Sequence, residues 1–478
     1  MKIVFLPILI LICVSVSFGS ERPNILFIAV DDLRPELATY GAKVQTPNLD
    51  RLAASGIRFD RAYCNQAVCG ASRLSLMGGL YPTKTGEQTF HVTDWRKRHP
   101  DLLTMNQHFR ANGYLTLGTG KIYHGTNGGR IEAKNWDEWL TSGGKSYVLE
   151  ESLAEAKRRQ KANPDKDPKD FRATTTERAD VPDDAYSDGA RAVVAAAKIG
   201  ELAAQEEPFF FAVGFTKPHL PFNAPERYWD LYDREDFALP ENLSWPPGYP
   251  DYARNATAGE MSKYSDYEGK SPVDFSDALN KRLLHGYAAC VSYTDANVGK
   301  VLDALEASPA ADNTIVVFWG DHGWKLGDHS SWCKHTNFEV DTRVPLLMRV
   351  PGKASGVTDA LVELIDLYPT LCELTGLEVP AHVQGKSLVP LLEDLEGGHR
   401  VSAYSSYPHG KLTGHSIRMG AYRYTEWHDE KGGVDTAVLT DLVVDPGEES
   451  NLIRSGDHAE DLVKAKAELA RRIAEALQ

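Results

Sequence analysis

Hydrophobic positions fall into short, nearly continuous runs along the chain, and longer amphipathic stretches separate these runs. Runs of this kind are typical of β-strands that are buried on both faces of a sheet. The predicted strands are Asn24–Val30, Tyr114–Gly118, Phe209–Phe215, Thr314–Trp319 and Pro345–Val350. The predicted helices are Pro47–Gly56, Leu103–Asn112, Ala185–Gln205, Lys281–Ala307 and Val362–Gly376. Strands that alternate with helices predict an α/β fold built on a parallel, doubly wound sheet.

The first residues have the pattern of a targeting segment. Met1 and Lys2 precede an apolar run from Ile3 to Val16, and small residues follow it, which predicts a secretory signal peptide cut near Gly19. An uncleaved membrane anchor is the less favoured alternative, because the run is short for a membrane span. We therefore expect a secreted or periplasmic protein with no stable membrane span.

The pattern changes again near residue 398. Alternating runs at Ser416–Trp427 and Ala437–Val444 favour a small antiparallel sheet, and Glu460–Leu477 is typical of a closing helix. The predicted organisation is a signal peptide (1–19), a main α/β domain (20–397) and a smaller C-terminal α+β subdomain (398–478).

Composition excludes several classes of protein. The 478 residues are 42% hydrophobic and 25% charged, which excludes a disordered chain. A net charge of −15 argues against a nucleic-acid binder, which needs a basic face. An anionic substrate stays possible, because a few lysines in a cleft can dominate the local field. Of the six cysteines, five follow the signal peptide, and their spacing fits neither a disulfide framework nor a zinc finger.

Charged and ionisable residues follow four of the predicted strands. In open α/β sheets, ligands bind beyond the carboxyl ends of the strands, so these residues are expected at one edge. They are Asp31 and Asp32, Lys121 and His124, Lys217 and His219, and Asp321 and His322. The residue types suit a site for a cation, an anion and proton transfer.

The segment Asn65–Arg73 contains a cysteine, Cys69, just before a predicted polar helix start. Taken alone, it is either a low-pKa nucleophile or a buried structural residue. However, Cys69-Gly-Ala-Ser-Arg73 resembles the C-x-[P/A]-S-R signature of type I sulfatases of the alkaline phosphatase superfamily. Further blocks in the expected order support this resemblance: PNILFIAVDDLR, GTGKIYHG, KPHLPF, GDHGWKLGDH and WCKHTNF.

Within that family the chain resembles the iduronate-2-sulfatase branch. The branch features are His322 after Asp321, the G-K-x-x-H-G block, and Ser416-Ile-Arg followed by Tyr422-Arg-Tyr-Thr-Glu-Trp427. The resemblance implies a large mixed, mostly parallel sheet sandwiched by helices. It also implies hydrolysis of sulfate monoesters on a sulfated carbohydrate, with the 2-O-sulfate of a uronic acid or related sugar as the specific expectation.

The resemblance further implies a role for each site residue. Cys69 would be converted to formylglycine by a formylglycine-generating enzyme, and its hydrate would attack sulfur. Asp31, Asp32, Asp321, His322 and residue 69 would hold one Ca²⁺. Arg73 would steady the hydrated aldehyde, Lys121 and Lys334 would bind the sulfate, His219 would protonate the leaving oxygen, and His124 would deprotonate the remaining hydroxyl. Ala71 departs from the commoner proline at its position.

Additional substrate contacts are expected near these motifs. Trp324 and His335 flank the metal and lysine motifs and are candidates for contact with a sugar ring. The long segment Asn223–Phe275 is interpreted as part of the substrate wall, and the charged run Lys157–Asp184 as a solvated surface. The alternatives are a phosphonate or phosphodiester hydrolase of the same superfamily and an inactive glycan-binding protein.

Overall fold

The computed structural model describes residues 22–89, 92, 94–125, 135–254, 260–267 and 275–478. The predicted signal peptide lies outside the described residues. Within those ranges, none of the helices has the length and apolar character that a membrane span requires.

Strands and helices alternate through most of the chain, as expected. The strands are β1 Asn24–Asp31, β2 Ile57–Tyr63, β3 Leu115–Gly120, β4 Glu138–Leu140, β5 Thr176–Ala179, β6 Phe209–Pro218, β7 Phe222–Pro225, β8 Thr314–Gly320, β9 Lys325–Leu326, β10 Trp332–Cys333, β11 Arg343–Val344, β12 Leu346–Arg349, β13 Gly356–Glu363, β14 Ser402–His409, β15 Leu412–Met419, β16 Tyr422–His428 and β17 Val434–Asp441. The helices are α1 Pro47–Ser55, α2 Cys69–Gly78, α3 Pro82–Thr85, α4 Trp95–Arg98, α5 Met105–Ala111, α6 Glu150–Ala162, α7 Ser187–Leu202, α8 Glu226–Trp229, α9 Asp277–Glu306, α10 Glu339–Thr342, α11 Leu367–Leu374, α12 Val389–Glu393 and α13 Ala459–Leu477.

The main sheet is mixed and mostly parallel, which confirms the expected fold class. Its strand order is β11-β2-β12-β8-β1-β6-β3-β4, and β13 pairs with β2. Strands β8, β1, β6, β3 and β4 run parallel to one another, whereas β12 is antiparallel to both β8 and β2. All five predicted strands lie in this sheet.

Helices cover both faces of the sheet, and the side chains of the central strands alternate between two cores. In β1, Leu26 and Ile28 point into the core that contains residues of α7 and α9. Ile25 and Phe27 point into the opposite core, with residues of α2, α5 and α11. Burial on both faces explains why these strands are continuous apolar runs rather than alternating ones.

Two predictions at the element level need correction. Strand β2 was not predicted, and the predicted helix Val362–Gly376 begins too early, because Val362 and Glu363 end β13 and helix α11 starts at Leu367. In both cases a strand lies where pairing with a distant segment, not the local pattern, decides the conformation.

The C-terminal region forms a four-stranded antiparallel sheet in the order β14-β15-β16-β17. The predicted run Ser416–Trp427 is two strands joined by a tight turn, at which Gly420 has a φ of +54°. Helix α13 packs on one face of this sheet, where Leu469 meets Ile417, Tyr424 and Leu439. The expected combination of antiparallel sheet and closing helix is therefore confirmed.

Candidate active site

The candidate site lies at the carboxyl edge of the main sheet, where β1, β8, β6 and β3 end side by side. Asp31 ends β1 and Asp32 follows it, and Asp321 and His322 follow β8. Since these strands are parallel neighbours, residues distant in sequence meet at one edge.

The backbone at Asp32 has a left-handed conformation, with a φ of +59°. Consecutive residues of an extended strand point to opposite faces, so this turn allows both adjacent carboxylates to serve one site. The turn is fixed from two sides. The Asp32 N–H donates to Asp321 Oδ1 at 3.1 Å, and the hydroxyl of Tyr287 donates to the Asp32 carbonyl at 2.8 Å.

Cys69 begins helix α2 and is buried against this edge. Its Sγ lies 3.2 Å from His322 Nε2 and 4.0 Å from Asp32 Oδ1. Burial, and then the charge of Asp31, raise the pKa of the Cys69 thiol well above its usual value. A thiol in these surroundings is not a low-pKa nucleophile, so the geometry argues against ordinary cysteine catalysis.

Arg73 lies one helical turn after Cys69 and therefore on the same side of α2. Its Nε donates to Asp321 Oδ2 at 2.8 Å, and one terminal nitrogen lies 3.6 Å from Asp31 Oδ1. Both side chains of the Arg73–Asp321 pair are fully buried. Arg73 thus joins the end of β1, the end of β8 and the start of α2.

Four side chains could bind a metal ion together. Ligand atoms of Asp31, Asp32, Cys69 and His322 all lie within 4.8 Å of one another. Among the described residues, Asp31 Oδ1 and Asp32 Oδ2 accept no hydrogen bond although both are buried. His322 Nδ1 is 2.9 Å from the Gly323 carbonyl, so Nδ1 carries the proton and Nε2 is left free to coordinate.

Asp321, also predicted as a metal ligand, lies beside this group. Its Oδ1 accepts from the N–H groups of Asp32 and His322, and its Oδ2 accepts from Arg73. In this arrangement Asp321 orients the neighbouring ligands. The donor set of two carboxylates, an imidazole and residue 69 fits a divalent cation.

Two lysines compensate the charge of the carboxylates. Lys121 pairs with Asp31, and Lys334 Nζ lies 2.8 Å from Asp32 Oδ1. Burial alone would raise the pKa of Asp31, but Lys121, His219 and Arg73 together hold it well below its usual value. Burial raises the pKa of Asp32 well above its usual value despite Lys334.

Two histidines complete the ring around Cys69. His219 Nδ1 is 2.6 Å from the Leu220 carbonyl, so Nδ1 carries a proton and Nε2 lies towards Asp32, at 3.9 Å. Burial lowers the pKa of His219 to about 3, against the opposing effect of Asp31. Burial and Lys121 lower the pKa of His124 to about 3 as well. Both rings are therefore neutral in the free site.

Above these residues opens a cavity of about 510 Å³. Its lining includes Cys69, His124, His219 and His335, so the predicted nucleophile and both predicted proton-transfer residues face the same space. His335 Nδ1 also forms a hydrogen bond of 2.7 Å with the Tyr407 hydroxyl, which ties the cavity wall to β14.

The predicted sugar contact of Trp324 is wrong. Its side chain is fully buried, beneath Lys334 Nζ at 4.8 Å from the ring centroid, and it packs against His219 and Phe222. The indole therefore supports Lys334 and His219 from behind. The motif around Asp321 suggested an exposed aromatic, but the chain turns Trp324 into the core.

Several residues that line the cavity were not predicted from the sequence, among them Glu260 and Arg172. Glu260 Oε1 lies 2.9 Å from Lys334 Nζ, and its Oε2 lies 3.7 Å from His219 Nε2. It belongs to the segment expected to form a substrate wall, although no pattern singled it out. Arg172 also lines the cavity, so the run Lys157–Asp184 is not simply a solvated surface.

Comparisons with known proteins agree with this geometry. A family model described as Sulfatase matches residues 23–377, and a second, described as N-sulphoglucosamine sulphohydrolase, C-terminal, matches residues 327–475. Human iduronate 2-sulfatase is 33% identical over 498 aligned positions, which cover 88% of this chain and 89% of that protein.

Solved structures show the same fold. A 2-O GAG sulfatase superposes with a TM-score of 0.72 at 22% identity, covering 95% of this chain and 93% of that one. The phosphonate monoester hydrolase of Agrobacterium radiobacter superposes with a TM-score of 0.73 at 24% identity, covering 95% and 96%.

Proposed function

The chain belongs to the sulfatase family and is a sulfuric ester hydrolase, and we propose that its substrate is a sulfated carbohydrate. One observation carries the mechanistic part of this proposal. Cys69 Sγ lies 3.2 Å from His322 and 4.0 Å from Asp32, at the floor of a cavity rimmed by histidines. This position supports a role for residue 69 in attack on a group that enters the cavity and is bound there by the neighbouring cations.

In the proposed mechanism Cys69 is converted to formylglycine by a formylglycine-generating enzyme, and the hydrated aldehyde supplies the attacking hydroxyl. Arg73, fixed by Asp321, would hold that hydroxyl group from the α2 side. Because the thiol itself is buried and has a raised pKa, an unconverted Cys69 offers no comparable nucleophile.

Asp31, Asp32, Asp321, His322 and residue 69 would hold one divalent cation, for which we propose Ca²⁺. When bound, such a cation supplies positive charge that polarises the sulfate ester. The lysines add to it. Lys121 and Lys334 lie beside Asp31 and Asp32, and there they would bind the sulfate oxygens as charge develops on them.

The two histidines would move the protons. His219 Nε2 would protonate the oxygen of the leaving sugar, since the sulfate brings negative charge next to a ring that is neutral in the free site. His124 would accept a proton from the remaining hydroxyl of residue 69, so that the carbon–oxygen bond to the sulfate breaks, sulfate leaves and the aldehyde is regenerated. Its low pKa, about 3, keeps it available as a base at neutral pH.

We further propose the 2-O-sulfate of a uronic acid or related sugar in an acidic polysaccharide as the substrate. Human iduronate 2-sulfatase covers most of this chain at 33% identity, and the superposed 2-O GAG sulfatase shares the fold. The branch features His322 and Tyr422–Trp427 support the same choice.

The test uses protein from a host that also makes formylglycine-generating enzyme. Mass spectrometry of the peptide across residue 69 should show the mass loss of thiol-to-aldehyde conversion. The converted protein should release sulfate from 2-O-sulfated uronides, whereas Cys69→Ala should release none. Retention of the saccharides without turnover by converted protein would contradict the enzymatic proposal and favour a glycan-binding role.

Metal removal gives a second readout. Dialysis against a chelator should abolish turnover, and Ca²⁺ should restore it better than Mg²⁺ or Zn²⁺. Asp32→Asn, which removes one unpartnered carboxylate oxygen, should lower the bound metal measured by elemental analysis. Full activity in the metal-free protein would contradict the proposal.

A phosphonate or phosphodiester hydrolase is the second candidate, because the superposed phosphonate monoester hydrolase has the same fold. The kcat/KM values for phenyl sulfate and phenyl methylphosphonate, which share the same leaving group, distinguish the two activities. A kcat/KM that favours the phosphonate would move the assignment to that class.

The proposed location is secreted or periplasmic, after cleavage of residues 1–19. Sequencing the amino terminus of the exported protein tests this, and an unprocessed Met1 in the membrane fraction would contradict it.

A further inference from the structure

One wall of the active-site cavity is built from two segments that run side by side, residues 169–175 and 260–267. The Arg172 N–H donates to the Lys263 carbonyl, and the Ser265 N–H donates to the Ala173 carbonyl, each at 2.9 Å. Asp266 then clamps Thr175, accepting from its N–H at 2.8 Å and from its hydroxyl at 2.7 Å. These contacts make the wall a defined structure.

Arg172 is the partly buried cation of this wall that has no ion-pair partner among the described residues; Lys169 is exposed, and Lys263 pairs with Asp170. Its Nε donates to the Lys169 carbonyl at 3.3 Å and one terminal nitrogen lies 3.4 Å from the Tyr264 hydroxyl. Its guanidinium also lies over the Tyr264 ring, 5.7 Å from the centroid. Within the part of the chain that the structure describes, no carboxylate comes within ion-pair distance of it.

The three cations that lie beside Cys69 and the aspartates are matched in the free protein. Arg73 pairs with Asp321, Lys121 with Asp31, and Lys334 with both Asp32 and Glu260. Arg172 differs in that its hydrogen-bond partners are neutral, although its side chain is only partly exposed. A partly buried cation without a counter-ion is stabilised more by a bound anion than a cation that already has an ion-pair partner.

Arg172 also borders a second cavity, of about 260 Å³, which shares His124 and His219 with the first. This second cavity is strongly basic, since Lys121, Lys145 and Lys217 line it as well. Its lining contains one carboxylate among the described residues, Asp188, which already accepts from Arg191 and from the N–H groups of Thr216 and Lys217. In a chain with a net charge of −15, this local excess of cations points to an anionic ligand.

We propose that Arg172 binds a second anionic group, a carboxylate or a second sulfate, on the saccharide whose sulfate ester enters at Cys69. The inference rests on the proposed function and deepens it, because it assigns one residue, Arg172, to the second negative charge that the saccharide carries beside the scissile sulfate. A guanidinium suits both groups, because its planar fork donates two parallel hydrogen bonds.

The test measures saccharide binding by calorimetry in a Cys69→Ala background, where no turnover is needed. The three probes are a 2-O-sulfated uronide, its carboxyl-reduced counterpart, and that counterpart with a second sulfate. The variants are Arg172→Gln and Arg172→Lys. The matched control is Arg158→Gln, on exposed α6, where Arg158 pairs with Glu155 alone among the described residues.

Arg172→Gln should weaken binding of the doubly charged probes by roughly 10- to 100-fold, as expected for a hydrogen bond between charged groups. For the singly charged probe, Arg172→Gln should change the dissociation constant by less than about threefold. Arg172→Lys should weaken binding of the doubly charged probes less than Arg172→Gln does. Arg158→Gln should bind all three probes as tightly as the parent does. If Arg172→Gln weakens binding of the uronide alone, the second anionic group is a carboxylate. If it weakens binding of the disulfated probe alone, the group is a sulfate.

The inference would be overturned if Arg172→Gln weakened binding of all three probes equally or weakened binding of none of them. Failure of the proposed function has a different signature. In that case the converted protein would hydrolyse no sulfate ester, whatever the calorimetry of the Arg172 variants shows.

Discussion

At the scale of single residues, the site is a balance of buried charges. Neighbouring Asp31 and Asp32 have pKa values displaced in opposite directions, because Lys121, His219 and Arg73 outweigh burial at Asp31 whereas burial dominates at Asp32. A cation bound between them would favour the ionised form of both. Each lysine pairs with one carboxylate, so the site offers carboxylates that would bind a cation and lysines that would bind an anion.

The proposed role of His219 predicts a dependence on the leaving group. Sugar hydroxyls are poor leaving groups and need a proton, whereas a nitrophenolate leaves without one. His219→Gln should therefore lower kcat/KM by roughly 100- to 1000-fold for a sugar sulfate. For 4-nitrophenyl sulfate the loss should be below about tenfold.

His382→Gln is the control for His219→Gln, because His382 lies outside the cavity, with its Nε2 3.2 Å from the Gly78 carbonyl. It should affect both substrates to a similar degree. If His219→Gln lowered the two kcat/KM values by the same factor, His219 would not be the proton donor.

The sequence predicted most of the residues that meet at the site, and the reason is topological. Asp31, Cys69, His322 and Lys121 follow strands or begin a helix at the same sheet edge, so fold class alone brings them together. Glu260 and Arg172 could not be found this way. They lie in irregular segments, whose path depends on contacts such as Thr175 with Asp266 and not on a periodic pattern.

At the scale of elements, the loop that carries Lys334 is held in an unusual shape. Cys333 and His335 have φ values of +74° and +89°, in the left-handed region that side chains other than glycine rarely adopt. A conformation of this kind persists only when surrounding contacts determine it. Asp341 provides them, accepting from the Thr336 N–H at 3.0 Å and pairing with Lys325, with both charged side chains fully buried.

Asp341→Asn should therefore affect both stability and activity. It leaves the Lys325 charge buried without a counter-ion, which should lower the free energy of unfolding by about 3–5 kcal/mol. The loosened loop should also misplace Lys334 and reduce kcat/KM by roughly tenfold or more. Urea unfolding and steady-state kinetics measure the two effects.

The double variant Lys325→Met with Asp341→Asn distinguishes the effect of the buried Lys325 charge from the effect of losing the carboxylate that anchors the loop. Removing both charges should recover part of the stability but not the activity, because the loop still lacks its carboxylate anchor. Exposed Asp359→Asn is the control and should change neither quantity. A single variant as stable and as active as the parent would contradict the role given to Asp341.

Whether a strand could be predicted from the sequence depended on how deeply it is buried. Strands β1, β6 and β8 are buried on both faces and were recognised as apolar runs. Strand β2, with the sequence IRFDRAY, carries partly exposed charged residues along its length and was missed. Its pairing with β12 and β13 stabilises it, and those partners lie almost 300 residues further along the chain.

At the scale of the whole molecule, one carboxylate joins the C-terminal subdomain to the main sheet. Glu363 ends β13, and its oxygens accept from the Tyr404 N–H at 2.7 Å, from the Tyr81 hydroxyl at 2.6 Å and from Asn65 Nδ2 at 3.2 Å. Arg472 of α13 completes the network at 2.6 Å. Since Asn65 lies four residues before Cys69, this network links the subdomain to the chain that carries the nucleophile.

Arg471 and Arg472 offer a direct test of this attachment, because they are adjacent but differ in environment. Arg472 is 1% exposed and also donates to Tyr81 and to the Ser402 carbonyl, whereas the Arg471 side chain is 55% exposed and pairs with Glu468 on its own helix. Arg472→Met should lower the free energy of unfolding by about 3–5 kcal/mol, since Glu363 stays buried and keeps only the more distant Arg400, 4.0 Å away. Arg471→Met should cost no more than about 1 kcal/mol.

Activity decides whether the network serves attachment alone. Arg472 does not line the cavity, so kcat/KM per folded molecule should stay within about threefold of the parent in both variants. A larger loss in Arg472→Met under conditions where it remains folded would show that the subdomain positions Cys69 through Glu363 and Asn65. Equal unfolding free energies for the two variants would contradict the attachment itself, because the loss of a buried ion pair between β13 and α13 should cost more than the loss of an exposed pair within one helix.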